Sequence, residues 1–441
     1  MSALIPLLVA SSCLFNAAAS APRGHLQERQ ALSADLSAIV SATPTATPTA
    51  ISQVPTMLSS IFGASPTPSN SLESAAELVE NSFSIPDLGN VLSGLTTGAN
   101  SPVNINLKNP DDTIYPKKWS DDAPYSQSEA ALRQQIHIPS TFTYGKVPPI
   151  ILVPGTGAIG GENFETNFIK LFTGSSFADP VWINPPTYQL GDAQKESEVV
   201  AYAINYISGI SGNVNVSTLG WSQGNIQIRW ATKYWPSTRN STSDHISISA
   251  DYAGTVIFSG LSDLLIGAGV GSTPSLLQQG YYSNFIDVLR SNGGDSAYVP
   301  TTSLYSGFFD EIVEPQQGTG ASAYTLDAHN VGVTNAEVNV VCSEDSAAGF
   351  FNTHESMLYN ALSYALAVDA LTHPGPGDIG RLDLETVCSQ VAAPGLSLED
   401  VVETEATIPI AAAAILLYPD RTTTKPAISP YASASPAPSP A

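Results

Sequence analysis

The chain of 441 residues has room for one large domain or two medium ones. Lys and Arg number 16 against 39 Asp and Glu, a formal charge of -23, which repels phosphate backbones and argues against nucleic-acid binding. Charged residues make up 12% of the chain and apolar ones 43%. That profile can bury a sizeable core and excludes a wholly disordered or fibrous protein.

Ala3–Ala10 is largely apolar, Ser11–Phe15 continues the run, and Ala17-Ala18-Ala19 offers small residues for cleavage. Residues 1–20 therefore read as a signal peptide, too short to span a bilayer. No later apolar run is long enough to cross one, so the protein is expected to be secreted, without a transmembrane segment and as a monomer. The sequons at Asn215 and Asn240 are candidate glycosylation sites. Cys13 would leave with the signal, and the remaining Cys342 and Cys388 are expected to form a disulfide in an oxidising compartment. No cysteine or histidine spacing matches a metal site, and no cofactor is called for.

Residues 21–118 read as a low-complexity leader or pro-segment, mostly disordered. SATPTATP (Ser41–Pro48) and SPTPS (Ser65–Ser69) are extended tracts, with a short helical pattern around Leu72–Ser82. Arg29 and Lys117-Lys118 are candidate processing positions. Residues 119–421 then alternate strands and helices. PIILV (Pro149–Val153), VWIN (Val181–Asn184), NVNVSTL (Asn213–Leu219), HISISA (His245–Ala250), TTSLYS (Thr301–Ser306) and EVNVVC (Glu337–Cys342) read as strands. Helical spacing fills Glu196–Gly209 and Ile226–Tyr234 between them. The fold class is α/β, a mainly parallel sheet with helices on both faces. Residues 422–441, rich in Pro, Ser and Ala, read as a disordered tail.

Gly220-Trp221-Ser222-Gln223-Gly224 follows a strand and precedes a helix, as a G-x-S-x-G nucleophile elbow requires. Such a turn strains the central serine, exposes its hydroxyl and aims the next amide, that of Gln223, at a developing oxyanion. An acid and then a histidine should follow in the chain. His245 comes too early for an acid to precede it, His373 sits in a Pro/Gly loop, and His329 remains open. His354, on the loop after the last strand, is favoured. Asp310 follows the strand 301–306, and Asp251 competes for the same role. Pro154-Gly155-Thr156-Gly157 closes the first core strand, where uncovered amides and the Thr156 hydroxyl offer oxyanion donors. The apolar, glycine-containing stretch Gly260–Gln279 fits either a flap or a plain helix and loop.

LVPGTG (Leu152–Gly157), WSQG (Trp221–Gly224), DYAGT (Asp251–Thr255), VPTT with LYS (Val299–Ser306), DEIV with Pro315, and AAAAI (Ala411–Ile415) together resemble the Candida antarctica lipase B-like family of fungal lipases. The resemblance implies an α/β-hydrolase fold and a triacylglycerol lipase or carboxylesterase acting on an ester or lipid substrate at a lipid–water interface. It implies the triad Ser222, Asp310 and His354, an oxyanion hole of Thr156 and Gln223, and Trp221 beside the substrate pocket. It also implies that Asp251 stands outside the triad. A short-chain esterase or cutinase-like hydrolase is the alternative within enzymes, and a non-catalytic cell-surface protein the alternative outside them.

Overall fold

The computed structural model describes residues 23–41, 44–63, 70–83 and 98–433. The apolar runs form a seven-stranded sheet in the order β1-β3-β2-β4-β5-β6-β7. Its strands are β1 (Ile136–His137), β2 (Pro149–Val153), β3 (Asp179–Ile183), β4 (Val216–Trp221), β5 (Thr242–Ile248), β6 (Thr301–Tyr305) and β7 (Val333–Glu337). β1 pairs antiparallel with β3, and every other neighbouring pair is parallel. All residues of β2, β3, β4 and β6 are buried, as a parallel sheet covered on both faces demands. The α/β-hydrolase reading holds.

The chain leaves β2 toward β3 on one side and returns to β4 on the other, so the carboxyl ends of β2 and β4 meet at a topological switch point. Open α/β sheets bind ligands there. Val153 lies level with Gly220 across this pair, which brings the Pro154–Gly157 turn beside the Ser222 elbow. One strand differs from the sequence reading. The last strand occupies Val333–Glu337, and Val338–Val341 is a helical turn. β6 ends at Tyr305, paired with Glu337, so residues beyond Glu337 have no ladder to join.

The helices that bear on the site are α1 (Arg23–Ser41), α2 (Val54–Phe62), α3 (Asn70–Glu80), α4 (Ala193–Ile210), α5 (Gln223–Tyr234), α6 (Val256–Gly267), α7 (Pro274–Gln279), α8 (Leu398–Glu405) and α9 (Thr407–Leu417). α4 and α5 pack on one face of the sheet through Val200, Ile204, Ile207, Ile226 and Trp230. On the other face α6 and α9 share a second core with Phe164, Phe168 and Leu362.

Two segments differ from expectation. Residues 21–118 were expected to stand outside any core, yet α1–α3 belong to the second core. Leu32, Leu36 and Ile39, then Val54, Leu58 and Phe62, then Leu72, Ala75 and Leu78 are buried among α6 and α9 residues. Each set follows the three- and four-residue spacing of one helix face. The Ser/Thr/Pro tracts, of which 42–43 and 65–69 lie outside the described residues, masked these short stripes in the average composition. Lys118 does not read as a free processing site, since its Nζ donates to Asn205 Oδ1 at 3.2 Å and to Ser241 Oγ at 3.0 Å. The tail also docks in part. The Tyr431 hydroxyl accepts from Trp230 Nε1 at 3.0 Å, and its ring meets Trp235 edge-on.

Residues 1–20, expected to be a signal peptide and containing Cys13, lie outside the described residues, as do 434–441. Asn215 and Asn240 are exposed. Cys342 and Cys388 are bonded across a separation of 46 residues. Closing a loop of that length stabilises the fold by about 4 kcal/mol in the chain-entropy model.

Candidate active site

At the end of β4 the backbone turns into α5 within one residue. Ser222 has φ 53° and ψ -127°, a conformation that costs a non-glycine residue on the order of 1–3 kcal/mol and persists only where its surroundings enforce it. Those surroundings are visible. Ser222 N donates to Ile248 O at 3.0 Å, and Asn225 Nδ2 donates to both Ser222 O and Ile248 O. The flanking glycines are required by close approach. A Cβ on Gly220 would lie 2.4 Å from Asn225 Oδ1, and one on Gly224 would lie 2.2 Å from Val153 O. Gln223 opens α5, so its amide has no acceptor within the helix and the helix dipole adds positive potential beside Ser222.

His354 reaches this edge from the loop after β7. Its Nδ1 lies 3.1 Å from both carboxylate oxygens of Asp310, and since a carboxylate only accepts, Nδ1 carries the proton. Asp310 is held in turn by the Ser306 hydroxyl at 2.5 Å and the amides of Ile312 and Val313 at 3.2 and 2.7 Å. The histidine backbone is fixed as firmly. His354 O accepts from Trp221 Nε1 and Ser249 Oγ, each at 3.2 Å, and His354 N donates to Glu311 Oε2 at 3.0 Å. The Trp221 and His354 rings sit 4.9 Å apart, so Trp221 steadies the histidine loop as well as lining the cavity. His354 Nε2 is buried and carries no hydrogen bond to Ser222 in this arrangement. Such contacts commonly tighten only with substrate bound.

The rival residues fall elsewhere. Asp251 is buried with neither carboxyl oxygen bonded, and burial, reinforced by the nearby charge of Asp310, pushes it up to about 8. His245 is bonded to Thr218 and Tyr252, and His329 to Ala297 O.

Thr156, one turn beyond β2, is buried beside Gln223. Its hydroxyl lies 2.7 Å from Gln223 Oε1 and 2.8 Å from Gln279 Oε1. Behind them stands a polar cluster that the sequence reading missed. Gln279 Nε2 donates to Gln223 Oε1, while Gln223 Nε2 and Gln227 Nε2 donate to Glu196 Oε2. Burial pushes Glu196 up to about 7. The signal was present in α4, where Glu196 falls three and four residues before Val199 and Val200 on the buried face. A carboxyl inside an apolar stripe needs partners.

Ser222, His354, Thr156 and Trp221 line one apolar cavity of about 40 Å³, together with Ile257, Phe258 and Leu261 of α6 and Ile408, Ala411 and Ile415 of α9. Of the stretch 261–279, which forms the rest of α6 and α7, Leu261 alone lines this cavity. Leu72 of α3 closes another side, so the N-terminal segment forms part of the pocket.

No family model matches the chain. Lipase B of Pseudozyma antarctica is 34% identical over 315 residues, covering 70% of this chain and 85% of that protein. The chain belongs to the lipase B family. The crystal structure of Aspergillus fumigatus lipase B superposes with a TM-score of 0.84 at 42% identity, covering 97% of this chain and 99% of that one. The family is one of α/β-hydrolase ester hydrolases. Because the fungal structure matches along nearly the whole length, the likeness of this lipase B-family chain includes its N-terminal helices.

Proposed function

We propose that this chain is a secreted triacylglycerol lipase or carboxylesterase acting through Ser222, His354 and Asp310 and an acyl-enzyme intermediate. The observation that carries the reading is the strained Ser222 at one wall of an apolar cavity that the Asp310-bound imidazole of His354 also borders. Ser222 Oγ attacks the ester carbonyl while His354 Nε2 takes its proton. Asp310 holds the ring with Nδ1 protonated and offsets the imidazolium charge. The Gln223 amide at the start of α5 and Thr156 stabilise the oxyanion. His354 then protonates the leaving alcohol, and water, or a second alcohol, releases the acyl group by the same steps in reverse.

The lining is aliphatic and aromatic, which suits an acyl chain. The chain's charge of -23 suits a neutral ester whose fatty-acid anion is repelled after release. Among the described residues no helix is long and apolar enough to cross a membrane. The apolar start at 1–20, the disulfide and the exposed sequons support secretion. The test is hydrolysis of butyryl, octanoyl and long-chain esters by the full chain beside its Ser222→Ala variant. Turnover across the series that vanishes in the variant supports the reading, and turnover surviving in it rejects Ser222 as nucleophile.

A further inference from the structure

Behind the histidine loop lie three carboxyls that the proposed chemistry does not use. Glu311 follows Asp310 in the chain, Glu355 follows His354, and Glu405 ends α8. Glu355 and Glu405 are fully buried and Glu311 is 3% exposed. Glu311 faces Glu355, Glu355 faces Glu405, and Tyr359 closes the far end, its hydroxyl 2.6 Å from Glu405 Oε1. At the near end Glu311 Oε2 accepts the His354 amide. Among the described residues no N–H or hydroxyl donor reaches Glu311 Oε1, either oxygen of Glu355, or Glu405 Oε2. Three buried carboxylates in that position would repel one another, with only the His354 amide and ring and the Tyr359 hydroxyl beside them. Linking three such carboxyls in a row takes two shared protons, which the group must keep to remain intact.

We propose that Glu311, Glu355 and Glu405 form a proton-sharing chain that clamps the backbone beside His354 and Asp310, making Glu355 a positioning residue for ester hydrolysis. This rests on the reading of Ser222, His354 and Asp310 given above. The clamp joins the two loops that bear the acid and the base to the end of α8, which runs on into the pocket wall α9. The titratable groups facing each member are known. Glu311 meets Glu355, Asp310 and His354; Glu355 meets Glu405, Glu311 and Tyr359; Glu405 meets Glu355, Tyr359 and Glu311. Burial first, then the facing carboxyls, hold Glu311 and Glu355 well above the carboxylate range, and burial pushes Glu405 up to about 7. The two shared protons belong to the three carboxyls jointly. Losing either one as pH rises leaves two anions among the three carboxyls under the His354 loop.

The test measures kcat, KM and the rate of phosphonate labelling from about pH 5 to about pH 10 for the full chain, Glu355→Gln and Glu355→Leu. Glutamine can donate to Glu405 and accept from Glu311 without titrating. Glu355→Gln is expected to rescue kcat to within about threefold at acid pH and to lack the alkaline fall of the wild type. Glu355→Leu is expected to lose about tenfold or more in kcat with KM nearly unchanged. An alkaline fall unchanged in Glu355→Gln, or a Glu355→Leu that melts lower but keeps its kcat, overturns the clamp. If Glu355→Leu does not fold, the Glu355→Gln profile decides alone. Should the wild type neither hydrolyse esters nor take the label, the hydrolase reading fails. The chain is then judged by melting against pH, where equal slopes in wild type and Glu355→Gln overturn it and a shallower slope in the variant supports it.

Discussion

Replacing Gly224 by alanine asks whether the elbow and the oxyanion turn share one tight contact. The new Cβ would sit 2.2 Å from Val153 O, 2.8 Å from Val153 C and 2.9 Å from Pro154 O. All three are backbone atoms, so no side chain can swing aside. Ordinary contact begins near 3.4 Å, and the difference from 2.2 Å means that α5 and the 153–156 turn must separate by about 1 Å. The turn carries Thr156, while Ser222 and Gln223 stand at the start of α5, so this gap opens between the nucleophile and the Thr156 donor. A misplacement of about 1 Å at reacting groups is worth on the order of 100-fold in rate. Gly224→Ala should thus lower kcat about 100-fold with KM changed less than about threefold. The assay is steady-state hydrolysis of a soluble butyryl ester, with circular dichroism to establish that the variant is folded. A folded Gly224→Ala enzyme with kcat within about twofold of wild type would refute the packing argument.

Three other outcomes follow from the same geometry. Asp310→Asn keeps the size of the side chain but no longer fixes the protonated Nδ1 of His354, and kcat should fall by about 10³- to 10⁴-fold; a loss under tenfold would remove Asp310 from the role. Burial raises Glu162 and Asp251 to about 8, and Glu196 and Glu405 to about 7, from starting values of 4.5 or 3.8. The folded chain then holds more protons than the unfolded one, so stability is greatest near pH 4 and declines as pH rises toward about 8, by up to about 1.4 kcal/mol per pH unit for each group. Denaturant melts that are flat or rising over that range would contradict it. Leu72→Ala should widen a cavity of about 40 Å³, at a stability cost of about 2–5 kcal/mol, and raise kcat/KM for octanoyl over butyryl esters several-fold. An unchanged ratio would exclude α3 from the acyl path.

How much of this could be read from the sequence depended on how local each signal was. The elbow was legible because steric rules at Gly220, Ser222 and Gly224 act within five residues. Strand order placed the loops of His354 and Asp310 at one sheet edge but left Asp251 and His329 open, and the lipase resemblance singled out the pair. β1 has two residues and is defined by its neighbour β3, so no periodicity announces it. The apolar stripes of α1–α3 lie between Ser/Thr/Pro tracts and make sense only against α6 and α9, far along the chain. The carboxyls Glu311, Glu355 and Glu405 come from segments distant in sequence, and nothing local distinguishes them from surface residues. Glu196 was the exception, visible as a charge on an otherwise apolar helix face.

The most direct measurement is peptide mapping of the full chain after exposure to an alkyl phosphonate ester. A single mass addition on the peptide containing Ser222, lost in Ser222→Ala and slowed in His354→Ala, is the predicted result. A chain that takes no label, or takes it on another residue while esters are being hydrolysed, would contradict the account.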